Sequence, residues 1–322
     1  MLRIKKVLYA TDFSECSESA LPVALRMAER HAAELHMLHA IVLHEDDPHD
    51  PAHHFPDPQE LYETLQVLAD ERLARVGERE GMHEVEIVRA QVRGVAPAPV
   101  ILEYAQEQDV DLIVMGTHGR RGIRHLLLGS VAEEVLRLAG TPVLTVRGEE
   151  PLKAFPGFES ILVPMDYSAH SETALSYAKE IGAAEDAKLH LLHVIETGVY
   201  PDFYRPLFGS DLYASVQRVQ GFDEAEFKKE ALAQLRTRLE RAPGPEVEAE
   251  LHAELGHPAQ TIVDYGEGLN SDLVVVASHG RTGSKRALLG SVAEGIVQRA
   301  KSPVLIVKPF GKDLLPELTR IR

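Results

Sequence analysis

Short apolar runs alternate along this chain with stretches whose apolar residues recur at helical spacing. Lys6–Ala10 and Leu35–Ile41 read as buried strands. Between them, Ser17–Ala32 places Ala20, Leu21, Ala24, Leu25 and Ala28 on one side of a helix. A long polar helix is predicted at Pro58–Glu80 and a strand near Val85–Val92. A helix at Pro99–Gln108, a strand at Leu112–Met115, a helix at Val131–Ala139 and a last strand at Pro142–Val146 follow. This alternation implies a parallel, doubly wound α/β sheet with helices on both faces. Ligands of such sheets bind outside the carboxyl ends of the strands, where the strand order reverses.

The pattern then runs a second time. Val7–Ser14 (VLYATDFS) returns as Ile161–Ser168 (ILVPMDYS) at an offset of 154 residues. The segment 116–146 (GTHGRRGIRHLLLGSVAEEVLRLAGTPVLTV) returns as 277–307 (ASHGRTGSKRALLGSVAEGIVQRAKSPVLIV) at an offset of 161, with 16 of 31 positions identical. Identity at that level makes the halves duplicates. The growth of the offset places a net insertion of seven residues between the two anchors of the second copy. Gly148–Phe158 (GEEPLKAFPGF), rich in Gly, Pro and charge and without periodicity, reads as the linker. The expectation is two tandem doubly wound domains, at 1–148 and 157–310, each with a five-stranded parallel sheet. The final strands, Pro142–Val146 and Pro303–Val307, would be exposed sheet edges in isolated domains. Pairing with each other would make one chain a pseudo-dimer, and it leaves a further homodimer open.

Composition narrows the partners. A net charge of −16 argues against sequence-independent binding to nucleic acid and against docking on anionic membranes. The single cysteine, Cys16, excludes an intramolecular disulfide. The N-terminal apolar stretch is too short for a signal peptide, and no run approaches a membrane span, so a cytoplasmic location is expected.

The candidate chemistry follows the fourth strand of each copy. Gly116-Thr-His118-Gly119 is followed, after nine residues, by Gly129-Ser130 at the start of a helix. Helix N-termini offer free N–H groups and a positive dipole end, which suit phosphate. Glycine lets backbone approach an oxygen closely and permits positive φ. Arg120, Arg121, Arg124 and His125 add charge within the loop. The second copy has Gly280, Gly290 and Ser291 with Arg281, Lys285 and Arg286. The alternative is structural: Ser130-Val-Ala-Glu133 and Ser291-Val-Ala-Glu294 also read as capping boxes. The loop lacks the Gly-Lys-Ser/Thr of a P-loop, and it follows strand four, unlike a dinucleotide fingerprint.

Gly-x2-Gly-x9-Gly-Ser, followed by a helix and Pro-Val-Leu-x-Val, resembles the ATP-binding signature of the universal stress protein family. Tyr-Ala10-Thr11-Asp12-Phe-Ser and Val-Pro164-Met165-Asp166-Tyr-Ser resemble that family's first strand and turn. Leu38-His39-Ala40 and Leu192-His193-Val194 resemble the end of its second strand. The resemblance covers nearly the whole chain, twice. It implies Asp12 and Asp166 beside the adenosine, Ala40 and Val194 offering backbone to adenine, and Met115 and Val276 flanking base or sugar. It implies phosphate contacts from Gly116, Gly119, Gly129, Ser130 and Val131, and from Gly280, Gly290, Ser291 and Val292. ATP would carry Mg²⁺ bound mainly through its phosphates. Asp12 and Asp166 could instead cap the next helix. His118 and His279 could meet phosphate or hold the strand-to-loop turn. The copies differ: Ala10 stands where the second has Pro164, and Ala277 replaces Gly116, where a methyl group could block positive φ or close approach.

The implied function is a nucleotide-responsive stress regulator or adaptor, with at most slow ATP hydrolysis. Three rivals stand beside it: a nucleotide-using α/β enzyme, a scaffold that binds no nucleotide, and a metal-binding protein acting through the His44–Asp57 loop, dense in His and carboxylates. The Tyr200–Phe222 insertion, with six of the chain's 18 aromatic residues, is expected to pack or form an interface.

Overall fold

The structure is a computed structural model that describes residues 1–42, 58–76, 85–118, 128–148, 155–196, 224–280 and 289–317. The first half runs β1 (Lys6–Ala10), α1 (Glu15–His31), β2 (Glu34–Val42), α2 (Pro58–Val76), β3 (Ile87–Gly94), α3 (Pro97–Glu107), β4 (Leu112–Gly116), α4 (Ser130–Leu138) and β5 (Val143–Val146). The second runs β6 (Ser160–Pro164), α5 (Ala169–Glu185), β7 (Lys188–Ile195), α6 (Glu224–Arg241), β8 (Ala249–Leu255), α7 (Pro258–Leu269), β9 (Leu273–Ala277), α8 (Ser291–Arg299) and β10 (Val304–Val307). The α/β alternation is as expected. The third strand begins two residues later than its apolar pattern suggested, and α2 is described only to Val76. The His44–Asp57 and Tyr200–Phe222 segments lie outside the described residues.

The ten strands among the described residues form one sheet in the order β3-β2-β1-β4-β5-β10-β9-β6-β7-β8. Within each half every pairing is parallel. The halves meet at β5 and β10, which pair antiparallel with Val143 opposite Ile306, Leu144 opposite Leu305 and Thr145 opposite Val304. These are the two edges that would otherwise expose unpaired backbone. The Thr145 hydroxyl adds a bond to the Val304 carbonyl at 3.3 Å.

Successive residues of a strand face opposite sides, and the core follows this rule. Val7 and Tyr9 face a layer that includes residues of α1 and α5. Leu8 and Ala10 face a second layer that includes residues of α3, α4, α7 and α8. Both layers run through both halves without a break, since Leu144 and Leu305 enter one and Val143 and Ile306 the other. Polar contacts reinforce this junction. Arg26 of α1 donates twice to Glu185 Oε2 of α5, at 2.6 and 3.2 Å, and Arg30 approaches Oε1 at 3.5 Å. Gly157, in the linker, has φ +121°, and a Cβ there would meet Glu185 Oε2 at 2.6 Å, so this position requires glycine twice over. After β10 the chain crosses back to the first half, where Lys312 Nζ meets Asp109 and Asp111 at 2.7 Å each.

Candidate functional site

The strand order reverses between β1 and β4, and again between β6 and β9. From β1 the chain moves outward to β2 and β3, then returns to the other side of β1 as β4. The crevices at the carboxyl ends of these pairs are where doubly wound sheets take ligands. Each predicted residue among the described ones lies at or next to one of the two ends. Ala10 stands opposite Met115 in the ladder, and Gly116 closes β4. Ala40 and Val194 lie near the ends of β2 and β7, half-buried. Met115 and Val276 are buried one residue before the ends of β4 and β9. Gly119 and the basic residues of both loops lie outside the described residues.

The turn after the first strand is built alike in both halves. Thr11 N–H donates to Leu38 O at 2.9 Å, and Met165 N–H donates to Leu192 O at 2.8 Å. One carboxylate oxygen of Asp12 then accepts the Ser14 N–H at 3.0 Å. Asp166 Oδ1 accepts from both the Ser168 N–H, at 3.0 Å, and its hydroxyl, at 2.6 Å. These are Asx turns. The aspartates are therefore not the helix caps. Ser14 and Ser168 are, each accepting from the N–H three residues on at 3.2 Å. Between aspartate and cap the chain takes a left-handed residue, Phe13 (φ 62°) or Tyr167 (φ 64°). A histidine of the second strand supports each turn: His39 Nδ1 donates to Thr11 O at 2.8 Å and His193 Nδ1 to Met165 O at 2.7 Å. Tyr167 stacks on His193 at 4.1 Å between centroids, and the Arg238 guanidinium sits 4.5 Å from the centroid of the same tyrosine ring. Neither arrangement was readable from sequence, because αL residues are seldom aromatic.

The helix starts correct the capping-box alternative. Gly129 and Gly290, not the serines, occupy the N-cap positions, with φ near −63° and −64°. The glycine amides donate back to Thr117 O at 2.9 Å and Ser278 O at 2.8 Å, which fixes where the helix begins. Ser130 and Ser291 are then the first helical residues, one position too far on for a box, and no side-chain cap forms among the described residues. Neither glycine uses positive φ. A Cβ on Gly290 would lie 3.2 Å from Ser278 O, so close backbone approach is the reason for glycine there. First-turn amides of Ser130, Val131, Ser291 and Val292 thus face the crevice end of each helix.

Gly116 likewise has no positive φ. A Cβ on it would fall 2.9 Å from Cys16 O and 3.0 Å from Ser17 N, so its role is to admit the first turn of α1. Ala277 in the second half is a buried strand residue packed within the apolar layer, so the change from glycine bears on helix–sheet packing and needs no positive φ. The Pro164 difference also has a physical outcome. Backbone alternation aims residue 164 at β9, and proline has no N–H to give. The β6–β9 ladder stops at Leu162–Val274, whereas β1–β4 continues to Ala10–Met115.

The loop histidines hold the turn through Nδ1, paired with the Thr117 hydroxyl at 2.9 Å and the Ser278 hydroxyl at 3.0 Å. Burial, with smaller contributions from Lys308 and His170, lowers the His279 pKa, which keeps it neutral near pH 7. Its Nε2 is buried without a hydrogen-bond partner among the described residues. The two parts of the second crevice touch directly: a Cβ on Gly280 would stand 2.5 Å from Asp166 Oδ2. Asp166 and Gly280, 114 residues apart in sequence, are therefore neighbours at this strand end.

The sequence model of the universal stress protein family matches residues 3–147 and again 157–308. The chain belongs to this family. A curated universal stress protein of Mycolicibacterium smegmatis is 28% identical over 310 residues, 94% of this chain and 97% of that protein. One from Methanocaldococcus jannaschii is 33% identical over 159 residues, 48% of this chain and 85% of that protein. Among solved structures, a universal stress protein from Archaeoglobus fulgidus aligns over 94% of this chain and 98% of its own, with a TM-score of 0.64 at 24% identity, a likeness of fold. Among the described residues no helix is long and apolar enough to cross a membrane.

Proposed function

We propose that this tandem universal stress protein binds ATP at both switch-point crevices and acts as a nucleotide-responsive regulator or adaptor, with slow hydrolysis at most. The two units of the proposal are residues 1–148 and 157–310. The observation that carries it is the closeness of the Asp166 carboxylate to Gly280, beside a helix whose N-cap is a glycine and supplies no side-chain cap. A carboxylate at the strand end suits the hydroxyls or amino group of an adenosine. Uncapped amides at a helix start suit phosphate oxygens. In the first half the corresponding residues are Asp12, Met115, Gly116, Gly129, Ser130 and Val131, with Thr11 and Ala40 beside them. In the second they are Met165, Asp166, Val194, Val276, Gly280, Gly290, Ser291 and Val292. The orphaned Nε2 of His279 supports a polar ligand in the same place. Mg²⁺ would enter with the nucleotide, held mainly by its phosphates, and would neutralise their charge. Titration calorimetry with MgATP tests the proposal: saturable heat supports it, and no heat together with no thermal shift at millimolar ATP overturns it.

A further inference from the structure

A second cluster lies away from both crevices. His190 is the third residue of β7, four positions before Val194, and so roughly 13 Å from the carboxyl end that the nucleotide proposal uses. Opposite it on the edge strand β8 stands Glu250, and His252 is two residues further on. His190 Nδ1 lies 3.2 Å from His252 Nε2. Glu250 Oε2 lies 3.6 Å from His190 Nδ1 and 3.8 Å from His252 Nε2. A point equidistant from these three atoms is about 2.1 Å from each, the bond length that Zn²⁺ makes to imidazole nitrogen and carboxylate oxygen (about 2.0–2.2 Å). A simple histidine–histidine hydrogen bond requires only one of these distances. The near-equilateral triangle is what three ligands of a tetrahedral ion present.

We propose that His190, Glu250 and His252 form a binding site for a divalent transition-metal ion, with Zn²⁺ as the best chemical fit. The ligand set of two imidazoles and one carboxylate suits zinc and leaves a fourth position for solvent. Each histidine would offer the lone pair of its facing nitrogen and keep its proton on the other one. Lys188 holds Glu250 Oε1 at 2.6 Å, which turns Oε2 toward the imidazoles. Tyr265 of α7 backs His252, with ring centroids 5.1 Å apart. Side-chain exposures of 9% for His190, 20% for His252 and 50% for Glu250 give a buried floor with an open mouth.

The first half supplies a built-in comparison. His36 is the counterpart of His190, but its neighbours in the same register are Val88 and Ala90. There the histidine's Nδ1 bonds to the Tyr104 hydroxyl at 2.8 Å and its Nε2 meets Glu34 Oε2 at 3.3 Å, with no second histidine at the Ala90 position. Among the described residues, the scaffold recurs twice and the three-ligand set stands on the second copy alone. This inference does not depend on ATP binding.

The double variant Glu250→Val/His252→Ala installs the first half's residues at these positions, so it should fold. The test is titration of the full chain, purified without an affinity tag, with Zn²⁺ alone. The wild type should bind one more equivalent than the variant and show a zinc-dependent rise in Tm that the variant lacks. The His44–Asp57 segment is unchanged in both, so the difference reports the strand site. Equal stoichiometry and affinity would overturn the proposal. If the variant fails to fold, NMR of the wild type decides. Zn²⁺ must shift the His190 and His252 ring resonances, and unmoved resonances would equally overturn it.

Discussion

Substituting Gly280 by alanine isolates the contact that joins the two parts of the second crevice. The added Cβ would stand 2.5 Å from Asp166 Oδ2 and 3.5 Å from its carboxyl carbon. A flexible carboxylate could swing away cheaply, but this one is held. Its Oδ1 accepts from the Ser168 N–H at 3.0 Å and the Ser168 hydroxyl at 2.6 Å, and that turn leads into the Ser168 cap of α5. Rotation loses hydrogen bonds to a charged acceptor, each of which contributes about 1.5–3 kcal/mol. Partial relaxation of the loop lowers the net cost, so about 1–3 kcal/mol of destabilisation is expected. Urea unfolding of the wild type, Gly280→Ala, Asp166→Ala and the double variant gives the cycle. With the carboxylate removed, the alanine at 280 meets no other atom of the described residues within 4 Å, so the double variant should cost no more than Asp166→Ala alone. A Gly280→Ala cost below about 0.5 kcal/mol, or the same cost with and without Asp166, would refute the reasoning.

Other expectations follow from the junction between halves and from one buried amine. Among the described residues, Arg26→Ala leaves the Glu185 carboxylate, 3% exposed, with the longer ion-pair contact to Arg30. Breaking a buried pair costs about 3–5 kcal/mol, and the remaining arginine should hold the loss near the lower end, measured as a drop in urea midpoint that Arg26→Lys only partly restores. Lys308 follows β10, and its amine bonds to the Leu136 carbonyl of α4. Burial pushes its pKa down to about 8 from 10.5. Between those values the unfolded chain binds the extra proton, so stability should rise with pH from about 8 to 10.5 by roughly 3 kcal/mol. Below about 8 both states are protonated and the gain is absent. Lys308→Met should remove this rise, and a wild-type stability curve that is flat or falling across that window would contradict the assignment.

Much of the fold was open to reading because the duplication repeats every cue. Short apolar runs and helical spacing located the elements of the first half, the repeat carried their order to the second, and the apolar final strands pointed to the β5–β10 pairing. The boundaries read less well. β3 has mostly half-exposed positions and so only weak contrast between its faces, which is why its start came out two residues early. The Ser-x-x-Glu pattern at 130 and 291 has the same letters whether serine is the cap or the first helical residue. The bond from the preceding glycine to Thr117 or Ser278, invisible in one dimension, decides between them. Ala277 looked like damage to a phosphate loop because the motif treats it as part of one. In space it is a strand residue, and the spacing of α1 or α5 on the sheet is what position 116 or 277 controls. The His190, Glu250 and His252 cluster joins strands about 60 residues apart, and only their register brings the three together. A histidine and an acid at alternate positions of an edge strand, opposite a buried histidine, are the signal to seek elsewhere.

The most direct test of the account is MgATP titration of the wild type beside Gly129→Val, Gly290→Val and the double variant. A valine at 290 would crowd the Ser278 carbonyl at the start of α8, and Gly129 holds the matching place before α4. The expected result is two molecules of ATP per wild-type chain, one for each single variant and none for the double, with all four proteins folded. A wild type that binds no ATP, or a double variant that binds it as well as the wild type, would contradict the account.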